Sequence, residues 1–125
     1  MKLSLDNAAA GNLISTYGPG HVVVNEERIQ TSVIVTPGRI LQDWAPETVA
    51  ALAPEHFDAL MELDPDIVVL GSGARQRFPG QELYAALSRH GIGLEVMDTG
   101  AACRTYNVLV AEDRRVAAAL LMIEG

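Results

Sequence analysis

The stretch EVMDTGAACRTYN, residues 95–107, sets a polar turn after an apolar segment and carries the most varied side chains of the sequence. Its first three residues are typical of the end of a buried strand, and Asp98, Thr99 and Gly100 predict a tight turn. The following residues predict a helix from about 99 to 110, for which Asp98 or Thr99 is an ordinary N-cap. A strand that leads directly into a helix favours a fold in which helices pack on a β-sheet.

The rest of the C-terminal half continues this pattern of strands and helices. A continuous apolar run at 67–70 ends in Gly71-Ser72-Gly73 and is typical of a strand that is covered on both faces. The further elements that we expect are a helix that begins near Pro54, a helix over 81–90 and a buried strand over 116–123.

The N-terminal half consists of short β-branched segments between turn signals, such as the Gly-Pro-Gly at 18–20 and Pro37-Gly38. Short strands joined by tight turns favour an antiparallel meander. The predicted strands cover 13–17, 21–24, 29–36 and 39–44. We therefore predict a single α/β domain over 1–125, with a mixed central β-sheet, an N-terminal antiparallel β-meander and helices packed against the sheet. Residues 1–11 are a candidate flexible segment.

The composition limits the classes of function. With 125 residues, of which 49% are hydrophobic, the chain can bury a core without disulfides. Nine Lys and Arg against 16 Asp and Glu give a net charge of −7, which argues against binding to nucleic acid or to an anionic membrane surface. The single Cys excludes an intrachain disulfide and a Cys-rich zinc site. Because no targeting segment or bilayer-length apolar run is visible, we expect a cytoplasmic protein that is not inserted in a membrane.

The glycine-rich turn at 71–73 lies where open α/β sheets bind ligands, at the carboxyl end of a strand. A dinucleotide fingerprint needs a glycine where Gln76 stands, and the lysine of a phosphate-binding loop is absent, so no cofactor is expected. Free backbone N–H groups together with Arg75 and Arg77 are a candidate site for a small anion. The alternative is that the glycines only form a sharp turn and that both arginines are solvated.

Asp98, Thr99, Arg104 and Asn107 are the second group of candidate binding residues. Arg104 and Asn107 are three positions apart, so they point the same way on a helix. With Asp98 and Thr99 they form one wall of a candidate cleft. The alternative is structural, because an Arg–carboxylate pair and backbone hydrogen bonds would tie the helix to the sheet. No carboxylate pair, metal-ligand spacing or nucleophile motif is visible, so neither catalytic residues nor metal ligands are predicted.

Cys103 lies in the first turn of the same predicted helix, where the helix dipole lowers the pKa of a thiol, and Arg104 beside it would favour a thiolate. It also shares an apolar face with Tyr106 and Val110, and no histidine lies nearby in sequence. We therefore expect a buried structural thiol, and a reactive thiol is the alternative.

Four segments of the C-terminal half, 67–73, 91–99, 101–109 and 112–120, carry a resemblance to a known family. Their order and spacing resemble a domain-of-unknown-function family that is widespread in prokaryotes and is similar to mitochondrial complex I assembly factor 3 and to the adipogenesis-associated protein with the same domain. The predicted meander fits as well, so the resemblance covers nearly the whole chain. It implies a compact α/β domain with an added β-layer, and neither an established enzymatic activity nor catalytic residues.

The resemblance implies a protein partner rather than a substrate. We expect a non-enzymatic protein-binding or assembly module whose partner is a subunit or assembly protein of the respiratory NADH:quinone oxidoreductase. The alternative is a small-anion or metabolite binder, or a minor enzyme, that uses the cleft between the 71–77 loop and the 98–107 turn. An unpaired, inward-pointing Arg104 would favour this alternative, whereas Arg104 locked to a carboxylate would favour the binding module.

Overall fold

The computed structural model describes residues 11–124, so the candidate flexible segment lies outside the described range except for Gly11. Eight β-strands and three α-helices lie within this range. The strands are β1 (Ile14–Gly18), β2 (His21–Val24), β3 (Glu27–Ile29), β4 (Val33–Thr36), β5 (Arg39–Leu41), β6 (Ile67–Gly71), β7 (Gly93–Met97) and β8 (Val116–Leu120). The α-helices are α1 (Asp58–Leu63), α2 (Gln81–Ser88) and α3 (Thr99–Ala111), and the 3₁₀ turns Val49–Ala51 and Pro54–Phe57 precede α1.

The strands form two sheets. β1, β2 and β3 make an antiparallel three-stranded sheet, and the other five strands make a mixed sheet in the order β5-β4-β8-β6-β7. β6 pairs in parallel with β7 and with β8, whereas β4 pairs antiparallel with β8 and with β5. The predicted α/β class, the mixed central sheet and the N-terminal antiparallel strands are confirmed.

The five-stranded sheet is the middle layer of the domain. The three-stranded sheet and α3 pack on one of its faces, and Cys103 and Tyr106 belong to the apolar cluster there. The cluster on the other face includes Leu60 of α1 and Leu87 of α2. Successive side chains of β8 enter the two clusters alternately, so all five of its residues are buried. This central position explains why the β8 sequence is apolar throughout.

The prediction of one strand over 29–36 is wrong. β3 ends at Ile29 in the three-stranded sheet, and β4 begins at Val33 in the five-stranded sheet. Between them the chain crosses from one layer to the other, and the Ser32 carbonyl accepts a hydrogen bond from the Trp44 N–H (2.9 Å). The sequence concealed the break because residues 30–32 include neither Gly nor Pro, which usually mark one.

The helix predicted near Pro54 begins as a 3₁₀ turn and becomes α-helical only at Asp58. It ends at Asp64, which has φ +52, a left-handed conformation that Asp tolerates better than most residues. The Trp44 ring packs edge-on against the Phe57 ring with 5.3 Å between centroids, and its Nε1–H donates to the His56 carbonyl (2.7 Å). These contacts fix the segment after β5 to the outer helical layer.

Candidate functional site

Parallel strands β6 and β7 end side by side, and this edge brings together five of the eight candidate binding residues: Gly71, Ser72, Gly73, Asp98 and Thr99. Of the other three, only Arg104 and Asn107 lie apart from them. Arg75 is exposed on the loop after β6, whereas Arg104 and Asn107 contact β1 from α3. The residues of the single cleft proposed from the sequence therefore lie in two separate regions, the edge at the ends of β6 and β7 and the contact between α3 and β1.

Thr99 joins the two loops at this edge directly. Its hydroxyl accepts a hydrogen bond from the Gly73 N–H (2.8 Å) and donates one to the Leu121 carbonyl (2.6 Å). The Thr99 N–H donates to the Gly73 carbonyl (2.9 Å), and the side chain is fully buried. The hydroxyl is thus occupied within the chain, where it connects the β6 loop, the start of α3 and the segment after β8.

Gly71 and Gly73 permit this close approach of the loops. A Cβ at Gly71 would lie 2.9 Å from the Thr99 Oγ1 and 3.0 Å from the Thr99 Cα, closer than side chains tolerate. Gly73 has φ +104, a backbone conformation that favours glycine, and a Cβ there would lie 2.5 Å from a Glu124 carboxylate oxygen. Gly71 is therefore needed for close packing against Thr99, and Gly73 for the backbone conformation of the turn.

Ser72 organises the loop that follows β6. Its hydroxyl lies 2.6 Å from the Arg75 carbonyl oxygen and 3.0 Å from the Met97 carbonyl oxygen, and it accepts a hydrogen bond from the Arg77 N–H (3.0 Å). The Ser72 N–H also donates to the Met97 carbonyl (2.9 Å). These bonds fold the loop onto itself and onto the end of β7.

Glu124 lies at the candidate site for a small anion. Its carboxylate accepts a hydrogen bond from the Ala74 N–H (2.9 Å). This hydrogen bond is the main cause that holds the pKa of Glu124 below its usual value, and the charges of Arg77 and Arg75 act in the same direction. No sequence pattern indicates this contact, because Glu124 and Ala74 are 50 positions apart.

Asp98 and Asn107 have clear structural contacts. The Asp98 carboxylate is the N-cap of α3 and accepts a hydrogen bond from the Ala101 N–H (2.9 Å). The Asn107 amide accepts from the Ile14 N–H (2.9 Å) and donates to the Ile14 carbonyl (2.7 Å). Asn107 therefore pairs with β1 as a neighbouring strand would, at a bulge where β1 shifts register against β2.

Arg104 has a neutral partner. Its guanidinium donates a hydrogen bond to the phenol oxygen of Tyr17 on β1, and its Cζ lies 5.8 Å from the centroid of that ring. Within residues 11–124 it forms no ion pair with a carboxylate. Arg104 is therefore neither an unpaired, inward-pointing arginine nor part of an Arg–carboxylate pair. Its contact with Tyr17 ties α3 to the three-stranded sheet.

Cys103 and Tyr106 are buried between α3 and the sheets. Burial raises the pKa of the Cys103 thiol to about 12 and outweighs the opposing effect of Arg104. Burial likewise raises the pKa of Tyr106, whose hydroxyl donates to the Asn12 carbonyl (2.8 Å). A buried thiol with a high pKa is a poor nucleophile, which agrees with the structural role expected for Cys103.

Two cavities, of about 590 and 330 Å³, are lined by residues other than the eight candidates. In the described part of the chain, no three His, Cys, Asp or Glu side chains form a set that would hold a metal ion. None of the helices between residues 11 and 124 has the length and apolar character needed to span a membrane.

A three-layer α/β domain of this kind has a solved counterpart. The chain superposes with a TM-score of 0.81 on a Bordetella pertussis protein described as an Mth938-like domain, with 30% identity and coverage of 92% of this chain and 88% of that one. This similarity establishes the class of fold.

The chain belongs to the DUF498 family, described as protein of unknown function (DUF498/DUF598), whose model matches residues 14–121. It is 35% identical over 116 residues to a Danio rerio protein, NADH dehydrogenase [ubiquinone] 1 alpha subcomplex assembly factor 3, over 91% of this chain and 66% of that protein. It is 25% identical to the 13 kDa major membrane protein of Francisella tularensis, over 97% of this chain and 99% of that protein. The chain thus spans slightly less than two thirds of the assembly-factor relative.

Proposed function

We propose that this chain is a non-enzymatic protein-binding module that assists assembly of the respiratory NADH:quinone oxidoreductase. The name of the Danio rerio relative supports the kind of partner. The internal hydrogen bonds of Thr99, Ser72 and Asn107 support a non-enzymatic role, because these polar groups serve the fold.

The observation that carries the proposal is the exposed loop after β6. Phe78 is 64% exposed, and Arg75 and Arg77 precede it on the same exposed loop of an otherwise acidic chain. Aromatic residues and arginines are enriched in protein–protein interfaces, and a large aromatic side chain in water has little role in the fold. We assign this loop, residues 74–80, as the partner-binding surface.

The test is recovery of NADH:quinone oxidoreductase subunits with the tagged full-length chain from its own cells, membranes included, read by mass spectrometry. We expect Phe78→Ala to reduce this recovery, because truncating an interface aromatic typically costs about 2 kcal/mol, or roughly thirtyfold in affinity. Val108→Ala is the matched control, since Val108 is 55% exposed on α3, away from the loop. Both variants should melt at the wild-type temperature.

Equal recovery with Phe78→Ala and with wild type would exclude this loop as the binding surface. Failure of the wild-type chain to recover any subunit of the complex would contradict the assembly role itself. The cytoplasmic location expected from the sequence belongs to the same proposal. A cytoplasmic location predicts that the chain is absent from the membrane fraction of cells that lack the complex. Fractionation of such cells measures this.

A further inference from the structure

The larger cavity opens near the carboxyl ends of β6 and β8, beside the loop that Glu124 closes. It has a volume of about 590 Å³, which lies within the range of small-ligand sites. We call it the Trp44 cavity. Six of its lining residues carry the argument: Ser32, Asp43, Trp44, Glu47, Met122 and Glu124.

The charge of the cavity is uniform in sign. Asp43, Glu47 and Glu124 line it, and none of the lining residues between 11 and 124 is Lys, Arg or His. Asp43 is held in place by a hydrogen bond from the Thr31 hydroxyl (3.2 Å), and Glu124 by the Ala74 N–H (2.9 Å). A positively charged group in the cavity would therefore meet the carboxylates of exposed acidic residues.

Ser32 is an independent sign that the cavity takes a ligand. The residue is only 5% exposed, and its hydroxyl makes no hydrogen bond with any residue between 11 and 124. Every fully enclosed side-chain polar atom in this range has a hydrogen-bond partner. Because the Ser32 hydroxyl has none there, it is not fully enclosed, and it opens on the cavity that Ser32 lines. The hydroxyl of this largely buried residue is therefore available to a bound molecule.

The arrangement selects an organic cation rather than a metal ion. The described carboxylates do not approach one another as a metal-ligand set. An ammonium group carries three donors and no acceptor, so it matches carboxylates and a hydroxyl oxygen that are spread around a cavity. Trp44 and Met122 add an apolar wall for an alkyl chain, and an indole ring attracts cations.

We propose that the Trp44 cavity binds an alkylammonium group, supplied by a free amine or by a lysine side chain of a partner protein. The site does not include Phe78 or the loop 74–80, so it stands independently of the assembly role. Loss of amine binding therefore bears on the Trp44 cavity, whereas loss of subunit recovery bears on the assembly role.

Trp44 is the only tryptophan of the chain, so its fluorescence reports directly on the cavity. We would titrate the full chain at low salt and pH 7 with three probes: 1,5-diaminopentane, Nα-acetyl-lysine methylamide, and the uncharged Nα-acetyl-norleucine methylamide of similar length. We expect a saturable fluorescence change with an amine, weakened by added salt, and none with the norleucine compound. A response to the diamine alone identifies a free amine, and a response to the lysine compound alone identifies a side chain.

The variants test the contacts. Glu47→Gln should weaken amine binding roughly tenfold, as expected for loss of one charge-assisted hydrogen bond, and Ser32→Ala should weaken it severalfold. The control is Glu62→Gln, an exposed acid on α1 that does not line the cavity. The proposal is overturned if no amine gives a saturable change, if the norleucine compound binds equally well, or if Glu62→Gln weakens binding as much as Glu47→Gln.

Discussion

Replacing Thr99 by valine tests whether this edge of the sheet is held by the Thr99 hydroxyl. Valine has nearly the same shape, so the substitution removes the hydroxyl with little change in packing volume. It leaves the Gly73 N–H and the Leu121 carbonyl without the partner they share. A buried polar group that loses its partner costs about 1–3 kcal/mol, so we expect Thr99→Val to lower the free energy of unfolding by roughly 2–5 kcal/mol. A domain of this kind has about 5–15 kcal/mol in total.

The assay is urea unfolding followed by Trp44 fluorescence, with the free energy of unfolding extrapolated to water. Thr99→Ser keeps the hydroxyl and should retain most of the stability. Thr105→Val is the matched control on the same helix, because the Thr105 side chain is half-buried and its hydroxyl bonds to no residue within 11–124. If Thr99→Val unfolds at the wild-type urea concentration, the hydroxyl does not support the fold and the reasoning is refuted.

Two further predictions concern α3. Asn107→Asp keeps the acceptor for the Ile14 N–H but turns a carboxylate oxygen towards the Ile14 carbonyl, so it should destabilise the domain by about 1–3 kcal/mol at pH 7. Part of this loss should return below about pH 4, where the carboxyl regains a proton to donate, and a loss that is the same at pH 3.5 and 7 would refute this account. For Cys103 the folded-state pKa of about 12 exceeds the ordinary value, so the unfolded chain loses its thiol proton first. The stability advantage of wild type over Cys103→Ala should therefore shrink as pH rises from about 9 to 12, and a native-state thiol reagent at pH 8 should react only as fast as the protein unfolds.

The sequence was sufficient to predict the burial of strands that consist of an unbroken run of apolar residues. β6 and β8 are both central strands, and their continuous apolar runs predicted this burial before their neighbours were known. The sequence narrowed the N-cap of α3 to Asp98 or Thr99, which precede an apolar helical segment, and Asp98 is the N-cap. Such features depend on residues that are adjacent in sequence or separated by one helical turn, so a local pattern contains the necessary information.

The failures involve contacts over long sequence separations. The break between β3 and β4 depends on which sheet each strand joins, and β4 pairs with β8, more than eighty positions later. For Asn107 the sequence left a cleft wall and backbone hydrogen bonds to the sheet as alternatives and could not name the partner, because Ile14 is 93 positions away and contributes only backbone groups, which have no sequence signature. The residues of the Trp44 cavity come from three distant segments in the same way.

Glu124 occupies the edge of the sheet at which an external anion was one of two possibilities. The principle that open α/β sheets bind ligands at the carboxyl ends of parallel strands identified the ends of β6 and β7, where backbone N–H groups face outward. An N–H group in such a loop needs an acceptor, and an acceptor from the same chain meets this need as well as an external anion does. Here the Glu124 carboxylate bonds to the Ala74 N–H, and Thr99 bonds to the Gly73 N–H. Because both donors are occupied, an anion could bind there only by displacing Glu124, and its charge would then meet a carboxylate set free beside it. This competition disfavours the anion-binding alternative, whereas the loop 74–80 is exposed and the acidic Trp44 cavity is open to other molecules.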